Sequence, residues 1–266
     1  MEETYLEETN GLRLLRFAAY RNEPGISCAI TTRYGIDRNS GKKMPYNVAL
    51  SAYPSREARE TVLAPLKSAL GISEAAYMRQ YHTANIAVVK DGREINNNTD
   101  GMITDVPGLG LLAVAADCGM TCFYDRRHDA AAVLHSGWRG ALQNIYAAAL
   151  NAMRLNYGTR PEDIISCSAP MICAAHYQVR QDFIDKLTLF YPDNYGDFLV
   201  KKGEDLFFDL RKLLKFQLER LGIKNHHFAP QCTYEEPDLF PSYRRDGVPG
   251  KSVQGHFGMM AVIRKR

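Results

Sequence analysis

No stretch of this 266-residue chain reaches the roughly 18 uninterrupted apolar residues that a membrane-spanning helix needs. The N-terminal segment MEETYLEETNGLRLLRF is acidic where a secretory signal needs basic residues followed by an apolar core. Sustained basic runs are missing as well. The net charge is +3, and although Arg244, Arg245, Lys251, Arg264, Lys265 and Arg266 crowd the C-terminal end, no stretch has the make-up of a nucleic-acid groove. There is no HExxH, no CxxC pair, no internal repeat, no low-complexity segment and no linker. The expectation is a cytoplasmic protein that binds neither membrane nor nucleic acid. The six cysteines, at 28, 118, 122, 167, 173 and 232, show no tight paired spacing, and in a reducing compartment each is weighed as a buried thiol or a ligand.

What is present suits a soluble globular chain, with 45% hydrophobic and 24% charged residues and enough length for one large core. The most informative stretch is 111–140, LLAVAADCGMTCFYDRRHDAAAVLHSGWRG. Residues 111–116 are short and uniformly apolar between Gly110 and Asp117, the pattern of a buried strand delivering Cys118 to its carboxyl end. Residues 130–134 do the same for His135. After Ser-Gly-Trp-Arg-Gly, the apolar spacing over 141–155 predicts a helix, which puts His135 at a strand-to-helix turn.

Elsewhere the pattern is of strands often joined without a helix. Residues 1–25 read as an N-terminal extension or edge hairpin, and 26–32 as a strand delivering Arg33 into a polar, turn-rich loop that holds Asn47. Ser55 and Gly71 bound a helix that Pro65 should kink or split. His82 falls in a loop before a strand at 86–90. Further strands are expected at 164–168, 228–233 and 259–263, with helices at 179–190 and 210–221, the latter capped by Asp209. This mixture predicts an α+β (mixed α/β) fold, a single domain of mixed β-sheets flanked by helices over 26–266.

Each candidate functional residue has a structural explanation when taken singly. A cysteine at the end of an apolar strand is usually a small buried hydrophobe, and a loop histidine is usually solvated or hydrogen-bonded. His226 and His227 are adjacent and would face opposite sides of a strand. Together, however, His82, Cys118 and His135 make a good three-ligand zinc site with one position open, since zinc accepts imidazole and thiolate alike. The same Cys and His could serve as nucleophile and base of an amide hydrolase. A copper oxidase needs more imidazoles than the seven histidines supply.

A set of motifs adds to this reading: TTR at 31–33, Asn47, QYHT at 80–83, TDGMITD at 99–105, ADC at 116–118, HSGWRG at 135–140, CT at 232–233 and SYRRDG at 242–247. In these the chain resembles the YfiH-like family, also called the laccase-domain or polyphenol oxidase family, from about residue 26 onward. The resemblance implies a YfiH-like fold with zinc on His82, Cys118 and His135, which would also be the catalytic residues, and Cu2+ only if the oxidase reading held. It implies a purine nucleoside phosphorylase cleaving adenosine, inosine and 5'-methylthioadenosine with phosphate, and deaminating adenosine. Zinc so held can lower the pKa of a bound water to about 7, which would account for deamination. Arg33 and Arg139 are the candidates for holding phosphate, and Asn47 and Gln80 for ordering ribose or phosphate oxygens. The chain departs from the family pattern at Gly119-Met120, Gly35-Ile36, Ala169-Pro170 and Lys251. Nothing in the sequence sets the oligomeric state, for which a monomer suffices.

Overall fold

The first two strands, β1 (Thr4–Thr9) and β2 (Leu12–Phe17), form a hairpin closed by Asn10-Gly11. Both turn residues have positive φ, which fits the right-handed twist of the flanking strands. In this computed structural model, which describes residues 2–37, 40–95, 98–247 and 255–264, β2 pairs with β3 (Ile26–Ile36). The hairpin is thus one edge of a sheet. Short β4 (Lys43–Pro45) folds back on the end of β3.

Helix α1 (Arg56–Leu70) starts where the Ser55 hydroxyl accepts the Ala58 N–H and stops at Gly71, φ 70°. Pro65 does not split it, and the helix runs unbroken through the proline. The helix is held from both sides of the proline by Leu63, Leu66 and Leu70, which pack on the sheet below.

Among the described residues seven strands follow without a helix between them: β5 (Glu74–Met78), β6 (Ile86–Val88), β7 (Glu94–Ile95), β8 (Gly101–Thr104), β9 (Leu109–Ala115), β10 (Gly119–Asp125) and β11 (Ala130–Ser136). The single helix expected over 141–155 is two, α2 (Trp138–Leu142) and α3 (Ile145–Tyr157). Asn144 takes φ 58° between them, and its side chain caps α3 by accepting the Ala147 N–H. Apolar periodicity runs through such a break because both helices bury the same face.

The remainder comprises β12 (Ile164–Ser168), β13 (Gln178–Val179), α4 (Gln181–Phe190), β14 (Leu199–Lys202), β15 (Asp205–Phe208), α5 (Leu210–Arg220), β16 (Asn225–Phe228), α6 (Tyr243–Asp246) and β17 (Phe257–Ile263). The strand expected at 228–233 is displaced toward the N-terminus. Pairing of β16 with β12 ends at Phe228, two residues before Pro230, which has no N–H to give a ladder. Of the turn-rich stretch 242–250, residues 248–250 lie outside the described residues, as does Lys251.

Two sheets carry the molecule. The first has the order β1-β2-β3-β17-β9-β5-β7, the second β16-β12-β10-β11-β8-β6, and β13-β15-β14 form a small third one. Strand alternation explains the layering. Along β17, Met259, Ala261 and Ile263 face the second sheet, while Met260 and Val262 face α1. The opposite face of the second sheet is covered by α3 and α5 through Tyr146, Ala149, Leu214 and Leu218. The result is helix, sheet, sheet, helix, an α+β architecture in which each buried Leu or Ile contributes about 1.5–3 kcal/mol. Three connectors pass from the first sheet to the second: residues 79–85 between β5 and β6, the segment between β7 and β8 that ends at Asp100, and residues 116–118 between β9 and β10.

Candidate metal centre

His82 and Cys118 lie on the first and last of those connectors, and His135 is the penultimate residue of β11. The ligand atoms of the three all fall within 4.8 Å of one another. His82 has φ 61°, unusual for a residue with a side chain, and the imidazoles meet edge to face with centroids 5.0 Å apart.

What enforces this arrangement is a carboxylate. Asp100, fully buried just before β8, accepts five hydrogen bonds. Its Oδ1 takes the His82 N–H (2.9 Å) and His135 Nδ1–H (2.8 Å); its Oδ2 takes the Tyr81 N–H (3.0 Å), the Thr83 N–H (2.7 Å) and the Thr83 hydroxyl (3.0 Å). One side chain therefore sets the unusual backbone at His82 and the tautomer of His135, whose Nε2 is left for the cluster. Gly137 makes room: a Cβ there would stand 2.3 Å from His82 Cδ2.

A second buried carboxylate shapes the Cys118 turn. Asp117, at φ 86°, accepts the Thr233 hydroxyl (2.6 Å), the Ser242 hydroxyl (3.0 Å) and the Arg244 N–H (2.7 Å). Sequence reading assigned no role to either aspartate. Asp100 and Asp117 stand in the TDGMITD and ADC motifs, and an Asp within each motif, a residue whose carboxylate accepts nearby backbone N–H groups in turns, is the signal that could have found them.

Charge follows geometry. Burial opposes ionisation of Cys118, but hydrogen bonds from His135 and His82 outweigh it and bring the thiol down to about 6. Burial likewise disfavours a charged His135, yet its bonds to Asp100 and Cys118 push it up to about 9. Asp100 is buried too, and the His135 bond and the backbone N–H groups hold it below the usual carboxylate range. His256, on the same cavity wall, is lowered to about 4 by burial and by the proximity of His135. A thiolate with two imidazoles, one oriented by a carboxylate, is a donor set that fits a divalent cation, zinc above others.

The cluster opens into a cavity of about 890 Å3. Trp138, Tyr177 and Tyr243 supply aromatic faces, and Arg59, Arg79, Arg139 and Arg244 supply cations. Arg139 lies over the Trp138 ring at 4.2 Å. Gln80 reaches the wall, but its amide is engaged both ways with Val114, donating to the carbonyl (2.7 Å) and accepting the N–H (2.9 Å), in the manner of an extra strand residue. Among the described residues the wall does not include Arg33 or Asn47. Arg33 is paired with Asp246 at 3.0 Å, and Asn47 Oδ1 accepts the N–H groups of Ala49 and His256. Arg244, which reads from sequence as one of an exposed pair, does reach the cavity.

Two interlocked sheets with a His–Cys–His cluster at their junction define the class of protein. A family described as multi-copper polyphenol oxidoreductase laccase matches residues 27–262, and the chain belongs to that family. It is 27% identical over 268 residues to a purine nucleoside phosphorylase of Bacteroides thetaiotaomicron, covering 93% of this chain and 97% of that one. It is 31% identical over 191 residues to a purine nucleoside phosphorylase of Mycobacterium tuberculosis, covering 71% and 74%. The crystal structure of YlmD from Geobacillus stearothermophilus superposes with a TM-score of 0.83 at 22% identity and full coverage of both chains. The names of these relatives support an enzyme.

Proposed function

We propose that the chain is a metal-dependent purine nucleoside phosphorylase that cleaves adenosine, inosine and 5'-methylthioadenosine with phosphate and also deaminates adenosine. The observation that carries this reading is the convergence of His82, Cys118 and His135 on a cavity that offers both aromatic faces and arginines. Relatives named purine nucleoside phosphorylase supply the substrate class.

His82, Cys118 and His135 would hold a zinc ion, which when bound supplies a fixed positive charge and Lewis acidity inside the cavity. Asp100 keeps the His135 ring in the tautomer that ligation needs. Trp138, Tyr177 and Tyr243 offer surfaces on which a purine stacks. Arg139 and Arg244 are the cations placed to hold the phosphate dianion by charge-assisted hydrogen bonds. In phosphorolysis a phosphate oxygen bonds to C1', the C1'–N9 bond breaks, and its electron pair leaves with the base. Deamination replaces the 6-amino group by water oxygen and releases ammonia.

The two reactions differ in nucleophile, and phosphate dependence separates them. Incubation with adenosine alone should yield inosine without free base; adding phosphate should yield adenine, hypoxanthine and ribose 1-phosphate, read by chromatography. Free base formed equally fast without phosphate would make the protein a nucleosidase and sink the phosphorylase reading. The thiolate and imidazolium character of Cys118 and His135 also favours a second reading, a cysteine amide hydrolase. Chelation decides between them: it should abolish the nucleoside reactions and would leave a cysteine hydrolase active. The copper oxidase named by the family has three clustered ligands at this site, which is short of what such chemistry uses.

A further inference from the structure

A second set of soft and borderline donors lies outside the cavity floor. Cys173, Cys232 and Glu235 place their ligand atoms within 4.8 Å of one another, and His176 Nε2 stands 2.9 Å from Glu235 Oε1. The same carboxylate oxygen is 3.6 Å from Cys173 Sγ. We propose that Cys173, His176, Cys232 and Glu235 form a second metal site, a closed tetrahedral zinc site that is structural.

The backbone is built for it. Cys173 and His176 flank one tight turn, in which the His176 N–H donates to the Cys173 carbonyl (3.1 Å); Cys232 and Glu235 occupy a second, closed by the Glu236 N–H on the Cys232 carbonyl (3.1 Å). An isolated parallel bridge between Met171 and Cys232 presses the two turns together. The Cys173 N–H donates to Cys232 Sγ at 3.2 Å, fixing that sulfur, and the His176 ring stacks on Tyr234 with centroids 4.1 Å apart and planes 14° from parallel. Each turn thus offers a thiol and, three residues on, a second donor, which is the local spacing of a zinc knuckle. Two sulfurs, one imidazole and one carboxylate fill four positions and leave none open, so the site supplies no chemistry. On binding, both thiols give up protons to solvent.

Its place in the fold indicates its use. The turn beginning at Cys173 adjoins Ile172, whose N–H donates to the Asp117 carbonyl (3.0 Å), and leads to Tyr177 on the cavity wall. Thr233, beside Cys232, donates to the Asp117 carboxylate. A cation joining these turns would lock both partners of the Cys118 turn.

The test is elemental analysis of protein prepared without added metal, in the His82→Ala/Cys118→Ala background where the first centre is removed. About one zinc per chain should remain, and Cys232→Ser added to that background should lose it. A second readout uses the wild-type fold: after chelation, added zinc should slow alkylation of the half-buried Cys173, followed by peptide mass spectrometry, and Glu235→Ala, a change at an exposed side chain, should weaken that protection by about tenfold or more. The absence of zinc in the double variant together with unprotected Cys173 in wild type overturns the proposal. So does a Cys173–Cys232 disulfide that forms in air and is indifferent to zinc. Because the first centre is removed before the count, its own failure to bind metal leaves this outcome unaffected.

Discussion

At the scale of single residues, Asp100 carries more than any ligand does. Its carboxylate holds both histidines, and nothing nearby could replace five accepted hydrogen bonds at once. Asp100→Ala should therefore cost about 3–5 kcal/mol of stability, as expected when one partner of a buried charged network is removed. The milder Asp100→Asn should keep the fold and weaken zinc affinity by about 10–100-fold, measured by competition with a chromophoric chelator. Cys118 gives a pH test. Its thiol is lowered to about 6, so the reactive thiolate of metal-free protein accumulates as pH rises through that value. Iodoacetamide labelling of chelator-treated protein should show an inflection near pH 6 at Cys118. Cys28 and Cys167, which burial and neighbouring thiols push upward, should stay unlabelled, and a Cys118 inflection at the ordinary thiol value would contradict the described geometry.

At the scale of elements, what sequence could and could not show has physical causes. Buried strands were legible in β9 and β11 because apolar runs mark them, whereas β10, broken by Thr121, was not read as a strand; helix starts were legible because Ser55 and Asp209 are good caps. The break between α2 and α3 was not, because the residue that makes it, Asn144, acts through its φ and leaves the apolar spacing undisturbed. Nor was the fate of Arg33: its strand end was foreseeable, while its partner Asp246 closes α6, 213 residues later. Asn144→Ala removes the α3 cap and places a Cβ-bearing residue with no local compensation at positive φ. A loss of about 1–3 kcal/mol is expected, read as a lowered midpoint in urea, with zinc content unchanged. A change of metal content in that variant would mean that α2 and α3 help to hold His135.

For the whole molecule, the resemblance carried by ADC and HSGWRG implied the fold and singled out His82, Cys118 and His135, and the structure brings those three together. It redistributes the polar residues around them. Arg139→Ala should raise the KM for phosphate by about tenfold or more while zinc remains bound, since a charge-assisted pair contributes roughly 1.5–3 kcal/mol. Arg33→Ala should leave that KM unchanged and act only on stability, because its guanidinium is engaged by Asp246. Steady-state kinetics at varied phosphate distinguishes the two, and the reverse ranking would return Arg33 to the site.

The placement of His82 and Cys118 on the passages between sheets has a temporal side. Neither passage has its final course until the first sheet has closed on the second, and that closure requires β17, near the end of the chain, to insert between β3 and β9. Contacts so distant in sequence form late and slowly. A nascent chain therefore has no way to capture the metal early and fold around it; the ion should enter only after the last strand is home. Refolding from urea with zinc present should proceed at the same rate as without it, and zinc should instead slow unfolding.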